Sequence, residues 1–404
     1  MRKFVLNNGM SVVFAGNARK CSVCLSVNVG HVNEPMLGIA NLFEHTLLLQ
    51  CSGIIPVFGG TMTAFTASGD DFEQVIKKVA KIFSETIVSE EYLEKAKAVI
   101  VKQIRDIAPL TMRRMKLDYK HYAFGADLVK TTQEYVDAIN SYSVDDVRNF
   151  ANTYYTAKNV VLVVAGVKDN QANLKELVAT YFGNIESGEA LPRMKNNIYT
   201  GGAGCLDTND NMTRLMFGWD LHDLSVYDGP VCNVLMSMFL RRLERAYAEA
   251  GYPDVSVELK VAGYYGLRTM RALVMSQSVD AKTLTDIFVK AVNRICDTYA
   301  DDYRMERSRN AAMVEKLNKY DSSDDCALEV AWQMIGRGQM YGVADRISSI
   351  AETTAGDVKD LARRIFRGSR LTYIVAQTKE KEAYSYADVM RAIGLEDLLK
   401  DNEL

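Results

Sequence analysis

"SVDDVRNFANTYYTAKNVVLVVAG", residues 143–166, lies without a gap on "TAGDVKDLARRIFRGSRLTYIVAQ", residues 354–377. Asp146, Val147, Ala151, Val164 and Ala165 meet Asp357, Val358, Ala362, Val375 and Ala376, while Phe150, Tyr155 and Val160 meet Leu361, Phe366 and Leu371. Each copy has apolar residues at three- and four-residue spacing, then a basic turn, then a continuous apolar run. That pattern predicts an amphipathic helix followed by a buried strand. Each copy lies towards the end of one half of the chain, so the sequence divides into two related halves. They join near "ESGEALPRMKNN", where Gly188, Pro192 and the polar run Lys195 to Asn197 give turn and linker signals. We place the halves at residues 1–190 and 191–404. Strands alternate with long amphipathic helices in each, which predicts an α+β fold: two related halves, each a largely antiparallel sheet with helices packed on one face.

The bounds agree. A chain of 404 residues exceeds the size at which one hydrophobic core usually stops growing, so two domains are expected. It is 48% hydrophobic and 25% charged, as in an ordinary globular protein. A formal net charge of -3, without a basic tail, gives no field to steer nucleic acid or anionic membranes. We expect neither as a partner.

The opening "MRKFVLNNGMSVVFAGN" places short apolar runs, Phe4 to Leu6 and Met10 to Phe14, on either side of an "NNG" turn. This predicts a hairpin that begins almost at Met1, leaving no room for a targeting segment, and no apolar run approaches membrane-spanning length. Seven cysteines, an odd number in a long chain, fit a reducing compartment, and we expect a cytoplasmic protein. Cys21 and Cys24 in "CSVCLSVNVG" sit on opposite faces of a predicted strand, which argues for structural thiols rather than a redox or metal pair.

The chemically distinctive stretch is "GIANLFEHTLLLQ", Gly38 to Gln50. Asn41, Glu44 and His45 sit three and four apart and share one face of a predicted helix. In an inverted zinc-peptidase helix these positions hold a first histidine ligand, a general-base glutamate and a second histidine ligand. A catalytic zinc needs three protein ligands and an open position for water. Asn41 cannot replace an imidazole at useful affinity, so this face offers one good ligand. By itself a Glu-His pair on a helix is more often a surface pair than half of a lost site.

The surroundings decide between those two. "VGHVNEPMLGIANLFEHTLLLQCSG" resembles the pitrilysin family, the inverzincins, in the branch containing mitochondrial processing peptidase. Gly30, Asn33, Glu34, Gly38, Ala40, Phe43, Glu44 and His45 fall where that family places its glycine, acidic residue and H-x-x-E-H motif. "GGTMTAFTASGD" looks like the family's glycine-led strand, and "NTYYTAKNVVLVVAG" with "YFGNIESG" is similar to its Tyr-x-x-x-Asn strand and closing Tyr-Phe-Gly turn. The resemblance covers most of the first half well and the second more loosely.

Carried over residue by residue, the site is degenerate. Asn41 stands at the first histidine, and "LEKAKAVIVKQIRDI" puts Ala96 at the downstream glutamate ligand and Gln103 at the following acidic position. The first half also looks shortened after Asp70, where the resemblance implies a further strand and turn. We therefore expect no metal and no cofactor in this chain. An unforeseen set, His45 with Glu85 or Glu94, is the alternative.

In the branch it resembles, two similar subunits enclose a peptide chamber, one bearing zinc and the other an Arg and a Tyr seven residues apart. "RRLERAYAEAGYPDVSVEL" offers Arg245 and Tyr252 at that spacing as a substrate-binding pair. Anchoring on Gly251 instead would select Tyr247 and Asp254 and lose the pair. The resemblance thus implies a non-catalytic subunit of a heterodimeric zinc metallopeptidase, with zinc in a homologous partner and a peptide as substrate. The alternative is an assembly or peptide-binding protein of the same fold. His31, His121 and His222 lack ligand spacing and are expected in loops or on the surface. "YGLRTMRALVMSQSV" reads as a core strand, and "DDYRMERSRNAAMVEKLNKYDSSDD" as a helix with a solvated, mixed-charge face.

Overall fold

The structure is a computed structural model and describes residues 1–16, 20–84, 87–125, 128–166, 172–192, 198–221, 224–225, 227–264, 267–378 and 382–397. The strands are β1 (Arg2–Val5), β2 (Ser11–Ala15), β3 (Cys21–Val27), β4 (Ile55–Phe58), β5 (Thr63–Gly69), β6 (Val160–Ala165), β7 (Gly202–Asp207), β8 (Thr213–Asp220), β9 (Ser256–Tyr264), β10 (Leu267–Ser276) and β11 (Leu371–Gln377). The helices of the first half are α1 (Ile39–Leu48), α2 (Phe72–Ser84), α3 (Glu90–Ile107), α4 (Thr111–Phe124), α5 (Thr132–Ser141), α6 (Val144–Tyr154) and α7 (Ala172–Phe182). Those of the second are α8 (Asp228–Glu249), α9 (Ala281–Asp297), α10 (Asp302–Asp321), α11 (Ser323–Arg337), α12 (Val343–Glu352), α13 (Ala355–Phe366) and α14 (Tyr386–Ile393).

Two compact units result, the first made of Met1–Asp106, Thr131–Lys195 and Glu315–Val343, the second of Ile107–Lys130, Asn196–Val314 and Ala344–Leu404. They differ from the continuous halves 1–190 and 191–404 in two segments: α4 belongs to the second unit and α11 to the first. Of the expected linker, residues 193–197 lie outside the described residues.

In the first unit the sheet runs β1-β2-β6-β3-β5-β4, antiparallel except where β2 pairs with β6. The N-terminal hairpin forms as expected, with Lys3 opposite Val13. Side chains alternate across the strands. Val12, Phe14, Val23, Leu25, Leu162 and Val164 enter a cluster with α1, α2, α3, α6 and α7. Their neighbours Val13, Cys24, Val161 and Val163 pack on Cys326, Ala327, Val330 and Ala331 of α11. Both faces are covered, which is why β6 reads as an uninterrupted apolar run. The layer on one face is the expected one; the helix covering the opposite face was not foreseen. Polar contacts fix the start of α11, where the hydroxyls of Ser22 and Ser68 donate to the Asp324 carboxylate. Cys21 and Cys24 do take opposite faces, and burial pushes both thiols up to about 12, far from reactive thiolate.

The second unit repeats the plan. Its sheet runs β7-β11-β8-β10-β9, antiparallel except for β7 with β11, so its strands follow the same order as β2-β6-β3-β5-β4. Each strand of this sheet has a counterpart in the first sheet, so no strand is missing there relative to the second unit. Strand β5 ends at Gly69 and α2 begins at Phe72, and the edge hairpin before them is short, β4 having 4 residues where β9 has 9. One face carries α8, α9, α13 and α14 around stacked Phe217 and Phe288, whose ring centroids lie 3.9 Å apart. Helix α4 covers the other face, against β7, β8 and β11. It comes so close that a Cβ on Gly218 would sit 2.3 Å from the Tyr119 ring, so only glycine fits there. The expected core strand at "YGLRTMRALVMSQSV" is β10. Among the described residues no helix is long and apolar enough to cross a membrane.

Candidate functional site

The loop before α1 is built by residues that sequence comparison had singled out. Gly30 N–H donates to Asn33 Oδ1 at 2.7 Å, and a Cβ on Gly30 would sit 2.4 Å from the Gly59 carbonyl oxygen. Glu34 then accepts from the backbone N–H groups of Gly38 at 2.7 Å and Ala40 at 2.9 Å, placing a carboxylate on the orphan donors that open the helix. Gly38 itself has φ +81°, a left-handed conformation that suits glycine. Burial pushes the Glu34 carboxyl up to about 7 in spite of these two hydrogen bonds.

Helix α1 carries Asn41 and His45 half-buried and Glu44 only 4% exposed. Among the described residues Glu44 Oε2 accepts no hydrogen bond. With burial acting alone, its carboxyl rises to about 7. Burial also pushes the His45 imidazole below its usual value, which keeps it neutral at pH 7. Tyr155, packed edge-on against Phe43 at 4.5 Å, is the nearby group that sequence analysis missed as part of this site. Burial, then the Glu44 charge, raise its hydroxyl well above the usual tyrosine value. Its place in the Tyr-x-x-x-Asn motif was the available signal. The Asn of that motif, Asn159, is structural: its Nδ2 donates to Thr156 Oγ1 and to the Glu189 carbonyl, both at 2.8 Å, and its Oδ1 accepts from Leu191 N–H at 2.7 Å.

The remaining expected positions do not complete a metal centre. Ala96 on α3 is fully buried in the apolar cluster that also holds Phe43 and Leu47, and Gln103 is exposed farther along the same helix. Glu94 of the alternative set is taken by Lys97 at 2.8 Å, and Glu85 lies outside the described residues. The donors on the motif face are therefore one carboxylate, one imidazole and an amide. That set does not fit a catalytic zinc, which takes three good ligands, and we derive no step through a metal. A nearby cavity of about 390 Å³ is lined by Phe43, Tyr155, Arg148 and Glu186, but by neither Glu44 nor His45.

The other candidates are scattered. His31 sits in a loop with Nδ1 3.0 Å from the Gly59 carbonyl oxygen, His121 is exposed on α4, and His222 lies outside the described residues. Arg245, in the last turn of α8, is exposed and paired with Glu249 at 2.6 Å. Tyr252 follows the left-handed Gly251 and is half-buried against the core of the second unit. Tyr247 of the alternative register is a core residue whose hydroxyl donates to the Leu284 carbonyl at 2.8 Å.

The profile described as "Peptidase M16 inactive domain" matches residues 141–312. The match covers less than half of the chain and is consistent with a degenerate pitrilysin-type member. It is 24% identical over 228 residues to the uncharacterized zinc protease YmxG of Bacillus subtilis (strain 168). That match covers 50% of this chain and 54% of the relative, so it spans about half the length of each. Among solved structures, a chain of Complex III2 from Candida albicans superposes with TM-score 0.82 at 15% identity, over 97% of this chain and 99% of that one. A protease from Helicobacter pylori gives TM-score 0.78 at 15% identity, over 93% and 98%. An M16-like chain from Alicyclobacillus acidocaldarius gives 0.78 at 14%, over 94% and 98%. These likenesses establish the fold. The profile and the bacterial relative support an M16-like member.

Proposed function

We propose that this chain is the non-catalytic subunit of a heterodimeric zinc metallopeptidase, completing the peptide-binding chamber of a zinc-bearing homologue. The observation that carries this is α1, where Glu44 and His45 remain while the two other ligand positions hold Asn41 and a fully buried Ala96. A carboxylate activates water usefully when a metal lowers the pKa of that water, and this donor set is too poor to hold one. Zinc then belongs to the partner, and this chain needs no cofactor of its own. The inactive-domain profile supports the same reading.

In this account Arg245 and Tyr252 donate to a peptide carbonyl or its developing oxyanion, and the extended substrate adds as an edge strand. Buried free thiols with raised pKa values favour a reducing compartment, and we assign the cytoplasm, with no nucleic-acid or membrane partner. The experiment is to mix the chain with a zinc-bearing homologue from the same genome and follow peptide cleavage. The proposal expects cleavage to need both chains and to fall about tenfold or more with Arg245→Ala or Tyr252→Phe. Cleavage by the homologue alone at the full rate would sink it. That outcome would favour the second reading, an assembly or peptide-binding role, which draws on the likeness to a Complex III2 chain.

A further inference from the structure

Helices α8, α9 and α10 of the second unit enclose an open groove of about 940 Å³. Its wall is strongly cationic. Helix α8 contributes Arg241, Arg242 and Arg245, α9 contributes Lys290 and Arg294, and α10 contributes Arg304 and Arg307, against Glu244, Glu249 and Asp301. Two of the three carboxylates are already engaged, Glu249 by Arg245 and Asp301 by Arg304. Arg242, Lys290, Arg294 and Arg307 have no ion pair among the described residues.

Arg242 is the singular member. It is half-buried, and its Nη1 is shielded from solvent with no acceptor among the described residues. Burial, then the like charges of Arg294 and Arg304, push its guanidinium down to about 10. Cys296 and Asp301 offset this only in part, and a half-buried guanidinium without an ion pair is costly unless an anion joins it. Arg242, Arg294 and Arg304 stand on three different helices, α8, α9 and α10, and all three line this one groove. Guanidinium forks from three helices lining one groove match the several oxygens of a phosphate group better than carboxylates spaced along a peptide. The floor is apolar, with Met238, Ile287 and Ala291, and offers room for an organic moiety beside the charge.

We infer that this groove binds a small ligand carrying two or more phosphate groups, held by Arg242, Arg294 and Arg304. The inference uses neither the α1 site nor a partner chain, although Arg245, assigned above to peptide binding, lines the same groove. The same phosphate chemistry has two sources, an organic ester such as a nucleoside triphosphate or an inorganic polyphosphate.

The test is calorimetric titration of the full chain with inorganic triphosphate, with a nucleoside triphosphate and with hexaglutamate as separate probes. Saturable binding of one triphosphate per chain is expected, weakening as salt is raised. Arg242→Gln combined with Arg294→Gln should weaken it by roughly tenfold or more, and Lys95→Gln on α3 should leave it unchanged. Arg307→Gln, at an exposed position on α10, guards against a misfolded double variant: a several-fold loss with an unchanged melting temperature supports the assignment. Tighter binding of the nucleotide than of inorganic triphosphate would point to the organic ester, and the reverse order to polyphosphate. Absence of saturation, affinity untouched by the arginine variants, or tighter binding of hexaglutamate would overturn it.

Discussion

Helices α1 and α8 occupy the same topological place, each joining a central strand to the edge hairpin of its sheet, and they treat charge in opposite ways. Around α1 the acids are buried without a cation: Glu34 and Glu44 are both pushed up to about 7 by burial. Around α8 the acids are stitched to arginine. Burial opposes the ionisation of Asp228 at its first turn, but Arg364 at 2.8 Å and the donors of Ser225 outweigh it and hold the carboxyl below its usual value. The fork of Arg367 does the same for Asp297 at the end of α9. The difference separates two roles. The acids of the second unit are part of what holds it together, whereas Glu44 lowers stability at neutral pH and needs a reason outside packing.

The largest effect that sharpens this contrast is expected at Glu44. Its folded pKa, about 7, exceeds its usual value of 4.5, so its stabilising contribution is complete below 4.5 and is lost as pH rises through 7. Urea unfolding of Glu44→Gln and the parent from pH 4 to pH 8 should show the variant gaining, relative to the parent, up to about 3 kcal/mol across that window. A flat difference would mean that Glu44 is solvated or partnered.

Arg364→Ala should act with the opposite sign. The folded pKa of Asp228 is depressed, so its contribution is present above its usual 3.8 and is lost as pH falls through the folded value. Removing Arg364 should cost about 1–2 kcal/mol at pH 7, allowing for its partial exposure, and progressively less as pH falls below 3.8 through the folded value. Next come the two helix caps of the duplicated segment. Ser143 and Thr354 form the same capping box with Asp146 and Asp357, so Ser143→Ala and Thr354→Ala should each cost about 1 kcal/mol by thermal melting. Unequal losses would break the equivalence of the two copies. The smallest effect is expected from Asn41→His, under about 0.5 kcal/mol, with no stoichiometric zinc gained because Ala96 still supplies no ligand.

Much of this was legible in the sequence, for identifiable reasons. Strands β6 and β11 are short apolar runs after amphipathic helices, and their hydrophobic period is a local property. The hairpin turn and the helix caps are likewise written in a few adjacent residues. The crossing of α4 and α11 was not legible, because periodicity shows which face of a helix is apolar but not which sheet that face will cover. Arg242, Arg294 and Arg304 also escaped notice, since each lies on a different helix and only the tertiary fold brings them to one groove. At the α1 site Asn41, Glu44 and His45 were identified from their spacing on one helix face and Ala96 from the family resemblance, while the neighbour Tyr155 was seen only as part of a motif. Glu34 was recognised by position, but its part in capping α1 needed the backbone geometry.

The central claim is that this chain retains the inverted motif without the capacity to hold its metal. Elemental zinc on the purified full chain, after exposure to zinc and desalting, tests it most directly. The account predicts far less than one equivalent, with no peptide cleavage by the chain alone in the same sample. One tightly held equivalent, together with cleavage that a chelator abolishes, would contradict it.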